Sequence, residues 1–535
     1  MARTPLLGSL RRLVRDARIS RQTGIPVDEL PDLRAARRLS RRDLLTGVAA
    51  GAAVLALPSR VRAAGQPKVV IVGGGIAGLT CALTLRDEGF CSTVYEASGR
   101  IGGRMFSNNR GYWAHNQVSE WCGELIDTGH QTIQDLAARY SLALDDVRAA
   151  EPHRSSEVYK FGGQYYPAAQ ATADFLAMFD ALQADVDAAP FPTLFNSFTA
   201  AGLALDHMSV YDWIESRVPG GHRAPLGQLL DVAYTAEYGA ESRVQSSLNL
   251  VYLLGFQSTA TRLDLYGESD ERFHIRGGNQ LLPQAIADDL GDDVVRTGHR
   301  LVRLARTAGG RYRCTFERAG GSHEVTADFV VLAIPFAVLA DVDTSRAGFD
   351  ELKRIAIAEL GRGHNGKLQL QFARRGWLGT GPWPGTSNGM SFADTGYQQT
   401  VEVTRAQPGT PGILDLYSGG HVTDRMRTTS PFATARDLGV LEDVARGLGE
   451  LAAVYPGLIW NGKATQSLPH KSPFFHNSYS YWKVGQYTRF AGYEGVPLGG
   501  VHFCGEHTST DFQGFMEGGA ETGEQTAKDL AKLLR

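Results

Sequence analysis

Near residue 70, the hydrophobic and polar positions follow the order of a strand, a glycine-rich turn, a helix and a second strand. Residues 68–72 consist of Lys68 and a short, continuous apolar run, which is typical of a strand buried on both faces. After the glycines at 73–78, apolar residues recur at helical spacing over 79–88, and the pattern of residues 92–96 favours a strand. The pattern therefore predicts one βαβ unit of about 30 residues.

Similar patterns farther along the chain predict a mixed set of helices and strands. A loop rich in Gly and Pro is expected at about 376–390. Helices are predicted at 131–140, 171–188, 210–217 and 281–290, and strands at 301–305, 311–317, 327–335 and 368–372.

The charge is distributed unevenly along the chain. The 535 residues carry a net charge of −3, but the first 64 contain 13 Arg, no Lys and five acids. The rest of the chain is therefore distinctly acidic, which argues against nucleic acid as a partner. A composition with 43% hydrophobic and 21% charged residues also excludes the collagen-like, disordered and coiled-coil classes.

Residues 1–64 are predicted to be a twin-arginine export signal. Arg41 and Arg42 precede a weakly apolar, Gly/Ala-rich run at 45–57, and the small residues around 61–63 suit a signal peptidase. A mitochondrial presequence and an amphipathic anchor are the alternatives. Because a stable membrane span needs about 20 apolar residues, none is expected, and the mature protein is predicted to be periplasmic or extracellular.

The cysteines and histidines show no metal-binding or disulfide pattern. There are five cysteines, an odd number, and no two of them have C-x-x-C spacing. The 14 histidines include no H-E-x-x-H motif. The sequence therefore predicts no metal site.

The glycine-rich turn has the spacing of a dinucleotide-binding site. Gly73, Gly75 and Gly78 follow a strand and open a helix, so that the backbone, with Ile76 and Ala77 at the helix start, can approach a pyrophosphate. Glu96, at the end of the second strand, is placed to bind ribose hydroxyls. A tight structural turn is the alternative interpretation.

The residues after Glu96 resemble the second signature of large FAD enzymes. Here Ala97 and Arg100 precede Gly103 and Arg104, and the resemblance implies that this loop wraps the pyrophosphate of FAD. A basic surface loop is the alternative.

With its C-terminal motif, the chain resembles the flavin-containing amine oxidase family, which includes monoamine, polyamine and L-amino-acid oxidases. The motif spans residues 503–508 and 514–520, and it implies FAD contacts from Gly505, Glu506, Phe515 and Met516. Weaker matches place Gly123 and Glu124 beside the isoalloxazine and the backbone of Leu301 against adenine.

The resemblance also implies three residues of the catalytic centre. Lys367, in a strand that leads to Trp377, matches the lysine that reaches a water bridged to flavin N5 in relatives. Tyr479 and Phe515 match the two aromatic walls that sandwich the amine. Ser478 stands where animal monoamine oxidases have the cysteine that binds FAD covalently, so noncovalent FAD is predicted.

The expected fold is α/β, with a discontinuous Rossmann-like FAD-binding domain and a second substrate domain of mixed sheet and helices. The FAD-binding domain is predicted to comprise 65–125, 270–340 and 465–535, and the substrate domain 126–269 and 341–464.

The predicted reaction is oxidation of an amine to an imine, which water hydrolyses, with molecular oxygen reduced to hydrogen peroxide. An L-amino-acid oxidase is the main alternative, but residues 123–127 lack the Arg that binds a substrate carboxylate in snake-type enzymes, and Glu124 and Asp127 suit a cationic amine. A non-amine FAD desaturase and a non-catalytic FAD-stabilised protein are further alternatives. The sequence does not specify the oligomeric state, a homodimer being one option.

Overall fold

The computed structural model describes residues 67–257 and 262–535. The predicted export signal lies outside the described residues and stays a prediction. Of the helices in the described residues, none has the combination of length and hydropathy needed to cross a bilayer.

A five-stranded parallel sheet, the FAD sheet, is built around the predicted βαβ unit. Its central strand, Val69–Val72, is fully buried, in agreement with its continuous apolar sequence. It pairs in parallel with both Phe329–Leu332 and Ser92–Tyr95. In spatial order the strands are Val501–Phe503, Phe329–Leu332, Val69–Val72, Ser92–Tyr95 and Val295–Arg296.

An eight-stranded mixed sheet, the substrate sheet, contains the strand that carries Lys367. This lysine strand, Asn365–Phe372, pairs antiparallel with Gly412–Gly419 on one side and Trp460–Ser467 on the other. In spatial order the strands are Phe432–Thr434, Trp460–Ser467, Asn365–Phe372, Gly412–Gly419, Gln399–Glu402, Ser387–Ala393, Ser156–Phe161 and Gln164–Tyr166.

Smaller sheets complete the strands of the described residues. A four-stranded sheet has the order Gly321–Ala327, Tyr312–Arg318, Arg300–Arg306 and Asp343–Arg346. Three two-stranded sheets pair Ser107–Asn108 with Ser119–Glu120, Leu144–Asp146 with Phe273–Ile275, and Gly361–Arg362 with Ser480–Tyr481.

The helices cover the sheets and supply much of the core. The first helix, Ile76–Asp87, begins directly after the glycine turn. The other α-helices are Gln131–Arg139, Ala168–Leu176, Phe179–Ala188, Ala200–Asp206, Val210–Arg217, Pro225–Tyr238, Ser247–Leu254, Leu281–Leu290, Phe336–Leu339, Glu351–Glu359, Gly420–Asp424, Leu438–Ala452, Gln486–Phe490 and Met516–Leu534. Short 3₁₀ segments lie at Ala114–Asn116, Gly221–Arg223, Pro469–Lys471 and Glu506–Thr508.

The C-terminal helix, Met516–Leu534, lies directly against the first helix. A Cβ atom at Gly523 would lie 2.2 Å from the carbonyl oxygen of Ala77, and one at Gly519 would lie 2.9 Å from Ile76 Cγ2. Small residues therefore let the two backbones approach closely, and the two ends of the described chain form one layer over the FAD sheet.

The α/β fold class is confirmed, whereas two local predictions differ from the structure. The helix predicted at 171–188 is broken between Leu176 and Phe179, where Met178 turns into the core with 2% of its surface exposed. The loop predicted at 376–390 gives way at Ser387 to a strand that pairs with the distant strand Ser156–Phe161. The domain boundaries stay a prediction.

Candidate active site

A cavity of about 640 Å³ opens at the carboxyl ends of four strands of the FAD sheet. Gly73, Glu96, Ala333 and Gly505 each follow one of these strands closely, and all four line the cavity. The substrate sheet closes the other side with Lys367 and its neighbours. In α/β folds this edge of a parallel sheet is the usual position of a ligand.

The glycine turn is shaped for close approach to the backbone. Gly73 has a φ of +110°, and a Cβ atom there would lie 2.4 Å from the carbonyl oxygen of Ala333. A Cβ atom at Gly78 would lie 2.0 Å from the carbonyl oxygen of Gly73, so only glycine lets the helix start so near the strand. The first helix has no side-chain cap at Gly75. Its N–H groups at Ile76 and Ala77 therefore stay available to an anion.

Glu96 is fixed at the end of the second strand. One carboxylate oxygen accepts from the backbone N–H of Gly74 at 2.7 Å, and the other accepts from the backbone and hydroxyl of Ser98 at 2.8 and 2.7 Å. Gly74 and Ser98 thus hold the carboxylate beside the glycine turn, at the position where a ribose would bind.

The two arginines of the second signature are held in different ways. Arg100 donates to the carbonyl oxygen of Gly103 at 2.8 Å and lies 3.9 Å above the ring of Phe106. Arg104 donates to Glu506 Oε1 at 2.9 Å and to the carbonyl oxygen of Ser478 at 2.8 Å. The Arg104–Glu506 ion pair therefore ties the N-terminal motif to the C-terminal motif.

Glu506 is ionised although it is buried. Burial works to raise its pKa, but Arg104 and His507 together with hydrogen bonds, including one from the backbone N–H of Gly514 at 3.0 Å, lower it below the usual value. A buried charge paired and hydrogen-bonded in this way has a fixed position.

Two buried polar side chains on the cavity wall have polar atoms that no described residue satisfies. Both ring nitrogens of His507 and both amide atoms of Gln513 are buried without a hydrogen-bond partner. Buried polar groups are normally paired. The unpartnered polar atoms, the glycine turn and the fixed Glu96 together fit a large polar ligand with a dinucleotide portion. FAD is such a ligand.

The remaining cofactor-binding predictions also fall on this cavity, with one exception. Ala97, Gly103, Gly123, Leu301 and Met516 line it. Gly78 does not, because its role is to bring the first helix close to Gly73. Gly123 is in contact with Met516, since a Cβ atom there would lie 2.9 Å from Met516 Sδ.

Lys367 reaches the cavity from the middle of the substrate sheet and forms an ion pair with Glu124. Its residue is 8% exposed, and its ammonium also lies 3.5 Å from the carbonyl oxygen of Glu120. Burial works to lower the pKa of Lys367, but Glu124 and Asp415 outweigh it and raise that pKa. Lys367 is therefore a fixed ammonium at the cavity wall.

Tyr479 and Phe515 both line the cavity, as the resemblance implies. Tyr479 donates its hydroxyl hydrogen to the carbonyl oxygen of Glu237, and its oxygen lies 2.8 Å from the hydroxyl of Tyr417. The ring of Phe515 makes an edge contact with His130, with 5.1 Å between centroids. These contacts with neighbouring residues fix the positions of both rings.

The sequence did not point to the two carboxylates that are most distinctive in the cavity, Glu237 and Glu271. Both line it, and no hydrogen bond from a described residue is among the causes that shift the pKa of either carboxylate. Burial and the charge of Glu271 raise the pKa of Glu237 to about 8. Burial and the charge of Asp127 raise the pKa of Glu271 to about 7.

The backbone at Glu271 is itself unusual. Its φ is +45°, a region that non-glycine residues seldom adopt, and its N–H donates to Asp127 Oδ1 at 2.9 Å. Such conformations cluster at functional sites. The only sequence signal for Glu237 is a single acid in the otherwise apolar last turns of the helix Pro225–Tyr238.

The two acids singled out in the sequence are used differently. Glu124 is occupied by Lys367. Asp127 is 1% exposed and accepts from Ser269 Oγ at 2.8 Å and from the backbone of Glu271. Burial raises the pKa of Asp127 to about 6. Glu124 and Asp127 therefore position Lys367 and Glu271.

Comparison with known proteins agrees with this geometry. Residues 76–531 match the family model described as flavin containing amine oxidoreductase. The chain is 24% identical to an L-amino acid dehydrogenase of Synechocystis, over 87% of this chain and 95% of that protein. It is 22% identical to polyamine oxidase 6 of Oryza sativa subsp. japonica, over 89% and 92% of the two chains.

Solved structures show the same fold. Cyclohexylamine oxidase from Brevibacterium oxydans superimposes with a TM-score of 0.72 at 19% identity, covering 88% of this chain and 99% of that one. A putrescine oxidase bound to putrescine gives a TM-score of 0.68 at 18% identity, with 87% and 99% coverage. Because the family model matches most of the chain, the chain belongs to the flavin-containing amine oxidoreductase family, and the prediction of an FAD-dependent oxidase of this family is confirmed.

Proposed function

We propose that the substrate is a cationic amine with a second positive charge, such as a diamine or polyamine, and that molecular oxygen is the electron acceptor. The observation that carries the proposal is the pair of unpaired carboxylates, Glu237 and Glu271, on the cavity wall. A buried carboxylate without a counter-ion is costly. A protonated amine supplies, in direct contact, the counter-charge that Arg148 and Arg405 give to Glu271 only from a distance.

The cations of the cavity support the same conclusion. Arg104 is paired with Glu506, and Lys367 with Glu124. Arg100 and Arg300 also line the cavity, but neither is among the charges that shift the pKa of Glu237 or Glu271. Arg148 and Arg405 act on Glu271 from a distance, but neither lines the cavity, and Arg405 is paired with Glu151. An amino-acid carboxylate would therefore find no free arginine beside Glu271 among the described residues.

The aromatic residues and Lys367 complete the proposed arrangement. Tyr479 and Phe515 offer ring faces that orient an amine and attract its charge. When bound, FAD supplies the two-electron oxidation of a C–N bond. Lys367 holds a positive charge and hydrogen-bond donors at the wall, while Glu237 and Glu271 hold the distal ammonium of the substrate.

The first test is the specificity of the purified enzyme. Hydrogen peroxide release is measured with a diamine, a polyamine, a monoamine of the same length and a set of L-amino acids. We expect the highest kcat/KM with the diamine or polyamine. Preference for an L-amino acid would overturn the proposed substrate and favour an L-amino-acid oxidase, the main alternative.

The second test assigns recognition to the two carboxylates. Glu237→Gln and Glu271→Gln should each raise KM for the diamine about 10- to 100-fold, because a charge-assisted contact contributes about 1.5–3 kcal/mol. KM for the monoamine should change much less. Glu268→Gln is the matched control, since burial also raises the pKa of Glu268, to about 7, but Glu268 does not line the cavity. Equal KM values in all three variants would contradict the assignment.

A further inference from the structure

Outside the cavity, the substrate sheet carries a cluster of two histidines and one aspartate. His364, Asp424 and His470 each offer one ligand atom, and these three atoms all lie within 4.8 Å of one another. His364 Nδ1 lies 2.9 Å from Asp424 Oδ1. The rings of His364 and His470 are stacked, with 4.5 Å between centroids and 13° between planes. None of the three residues lines the cavity.

The three residues come from segments that are distant in sequence, which is why spacing gave no sign of them. His364 directly precedes the lysine strand, Asp424 ends the helix Gly420–Asp424, and His470 lies in the 3₁₀ segment Pro469–Lys471. Each segment is held independently of the cluster. The backbone of His364 forms hydrogen bonds with Gly239 and Gly420, and the backbone of Lys471 forms one with Leu468. The fold, rather than a local motif, brings the side chains together.

One atom of this cluster has no partner. Nδ1 of His470 is buried and meets no hydrogen-bond acceptor or donor in the described chain. A buried ring nitrogen of this kind is normally satisfied. Asp424 is exposed and His364 is half-buried, so an ion from solvent has access to the cluster.

The donor set selects a class of metal. Two imidazoles and one carboxylate suit Zn²⁺, Cu²⁺ or Ni²⁺, whereas Mg²⁺ and Ca²⁺ prefer oxygen ligands only. In a tetrahedral zinc site with bonds of about 2.1 Å, ligand atoms lie about 3.4 Å apart. No pair of ligand atoms therefore has to close by more than about 1.4 Å, and the His364–Asp424 pair has to widen by about 0.5 Å, movements that side-chain rotation at a half-exposed surface supplies.

We propose that His364, Asp424 and His470 form a divalent transition-metal site of the Zn²⁺ class that is separate from the active site. The bound ion links the start of the lysine strand to two segments beside it. The backbone of Gly363, next to His364, exchanges hydrogen bonds with Ser478 and Tyr479. The ion would thus stabilise the framework that positions Tyr479 without contacting the cavity.

The test uses the FAD-loaded protein, purified without a histidine tag, and ZnCl₂ as the probe. Calorimetry should show one zinc ion per chain, and Mg²⁺ and Ca²⁺ should give no heat at the same concentrations. At a free zinc concentration 100-fold above Kd, the unfolding equilibrium constant should fall about 100-fold. With Cu²⁺, the paramagnetic resonance spectrum should show coupling to two imidazole nitrogens.

Substitution of the three cluster residues tests where the zinc ion binds. His364→Ala, His470→Ala and Asp424→Asn should each weaken zinc binding at least tenfold while the flavin spectrum stays unchanged. Asp424→Asn is the conservative member of the set and keeps the test valid if an alanine variant misfolds. His153→Ala is the matched control, because His153 is an exposed histidine outside the cluster.

Three results would overturn the site. One is equal loss of binding in His153→Ala, which indicates adventitious surface binding. Another is loss of binding in Glu237→Gln or Glu271→Gln with a change in the flavin spectrum, which places the ion in the cavity. The third is an unchanged zinc affinity in all three cluster variants.

Discussion

Lys367 is a buried ammonium with three N–H donors, of which one is used by Glu124 and a second points toward the carbonyl of Glu120 at 3.5 Å. At least one donor is left for the cavity. Because Glu124 and Asp415 raise the pKa of Lys367 above the usual value for lysine, the ammonium keeps its charge at neutral pH. This residue combines a fixed position with a permanent charge, the two properties that electrostatic catalysis requires.

Replacing Lys367 should affect turnover far more than cofactor binding. Lys367→Met removes the donor and the charge, so we expect kcat to fall about 100-fold or more, with the flavin absorption retained. Lys463→Met, on the neighbouring strand, is the control, because Lys463 contacts the backbone of Tyr112 and does not line the cavity. Normal turnover in Lys367→Met would show that the ammonium has no catalytic role.

At the residue scale, the sequence predicted the residues that lie in recognisable motifs. It did not predict those whose properties come from burial in the folded chain. Glu96, Arg104 and Lys367 occur in recognisable segments, and each lines the cavity. Glu237 and Glu271 were missed because they lie outside any motif, one in a helix and one in a loop, and their raised pKa values come first from burial in the folded chain. The roles of Glu124 and Asp127 depend on Lys367 and Glu271 in the same way.

At the scale of elements, the first helix is limited by how closely it approaches the central strand. A Cβ atom at Gly78 would lie 2.0 Å from the carbonyl oxygen of Gly73, and the C-terminal helix covers the opposite side. The helix therefore cannot move closer to the central strand or to the C-terminal helix. Its N-terminus is placed at the cavity by packing on both sides.

The same substitution in two helices should have opposite effects. Gly78→Ala should lower the affinity for FAD and reduce the unfolding free energy, because the first helix is pushed away from Gly73. Gly449→Ala, at an exposed position of the helix Leu438–Ala452 with nothing within 4 Å, should stabilise the protein by about 1 kcal/mol. FAD titration and thermal unfolding of both variants measure the two effects. If Gly78→Ala binds FAD normally, the close approach is not essential.

Elements were predicted well where a local pattern determines them and poorly where pairing is remote. The helices Val210–Arg217 and Leu281–Leu290 match their predicted limits. The strand beginning at Ser387 follows a loop rich in Gly and Pro, and its partner lies more than 200 residues away in the strand Ser156–Phe161. Only the assembled sheet gives that segment its structure.

At the scale of the whole molecule, the carboxylates of Glu237 and Glu271 lower the stability of the folded protein as they ionise. The folded-state pKa values of Glu237 and Glu271, about 8 and 7, lie above those of an exposed glutamate. Between pH 4.5 and 8 the folded state therefore holds protons that the unfolded state has released, so stability falls as pH rises. Under the proposed function, a bound polyamine should counteract this loss.

The double variant Glu237→Gln/Glu271→Gln should consequently be more stable than the natural protein at pH 8.5 and similar to it at pH 4.5. Glutamine has the size and hydrogen-bonding capacity of the neutral acid but cannot ionise. Thermal unfolding midpoints of the FAD-loaded proteins across this pH range provide the measurement. A natural protein that is equally stable or more stable at pH 8.5 would show that the two carboxylates are not strained by their charge.

The ion pair between Arg104 and Glu506 joins residues that are 402 positions apart. At a synthesis rate of 5–20 residues per second, Glu506 leaves the ribosome about 20–80 s after Arg104. During that interval the glycine turn is open, and the apolar strand Val69–Val72 lacks its neighbours Phe329–Leu332 for most of the time. Cofactor loading therefore has to wait for a nearly finished polypeptide. A chain that stops early exposes an unpaired strand edge, which marks it for chaperones or proteolysis.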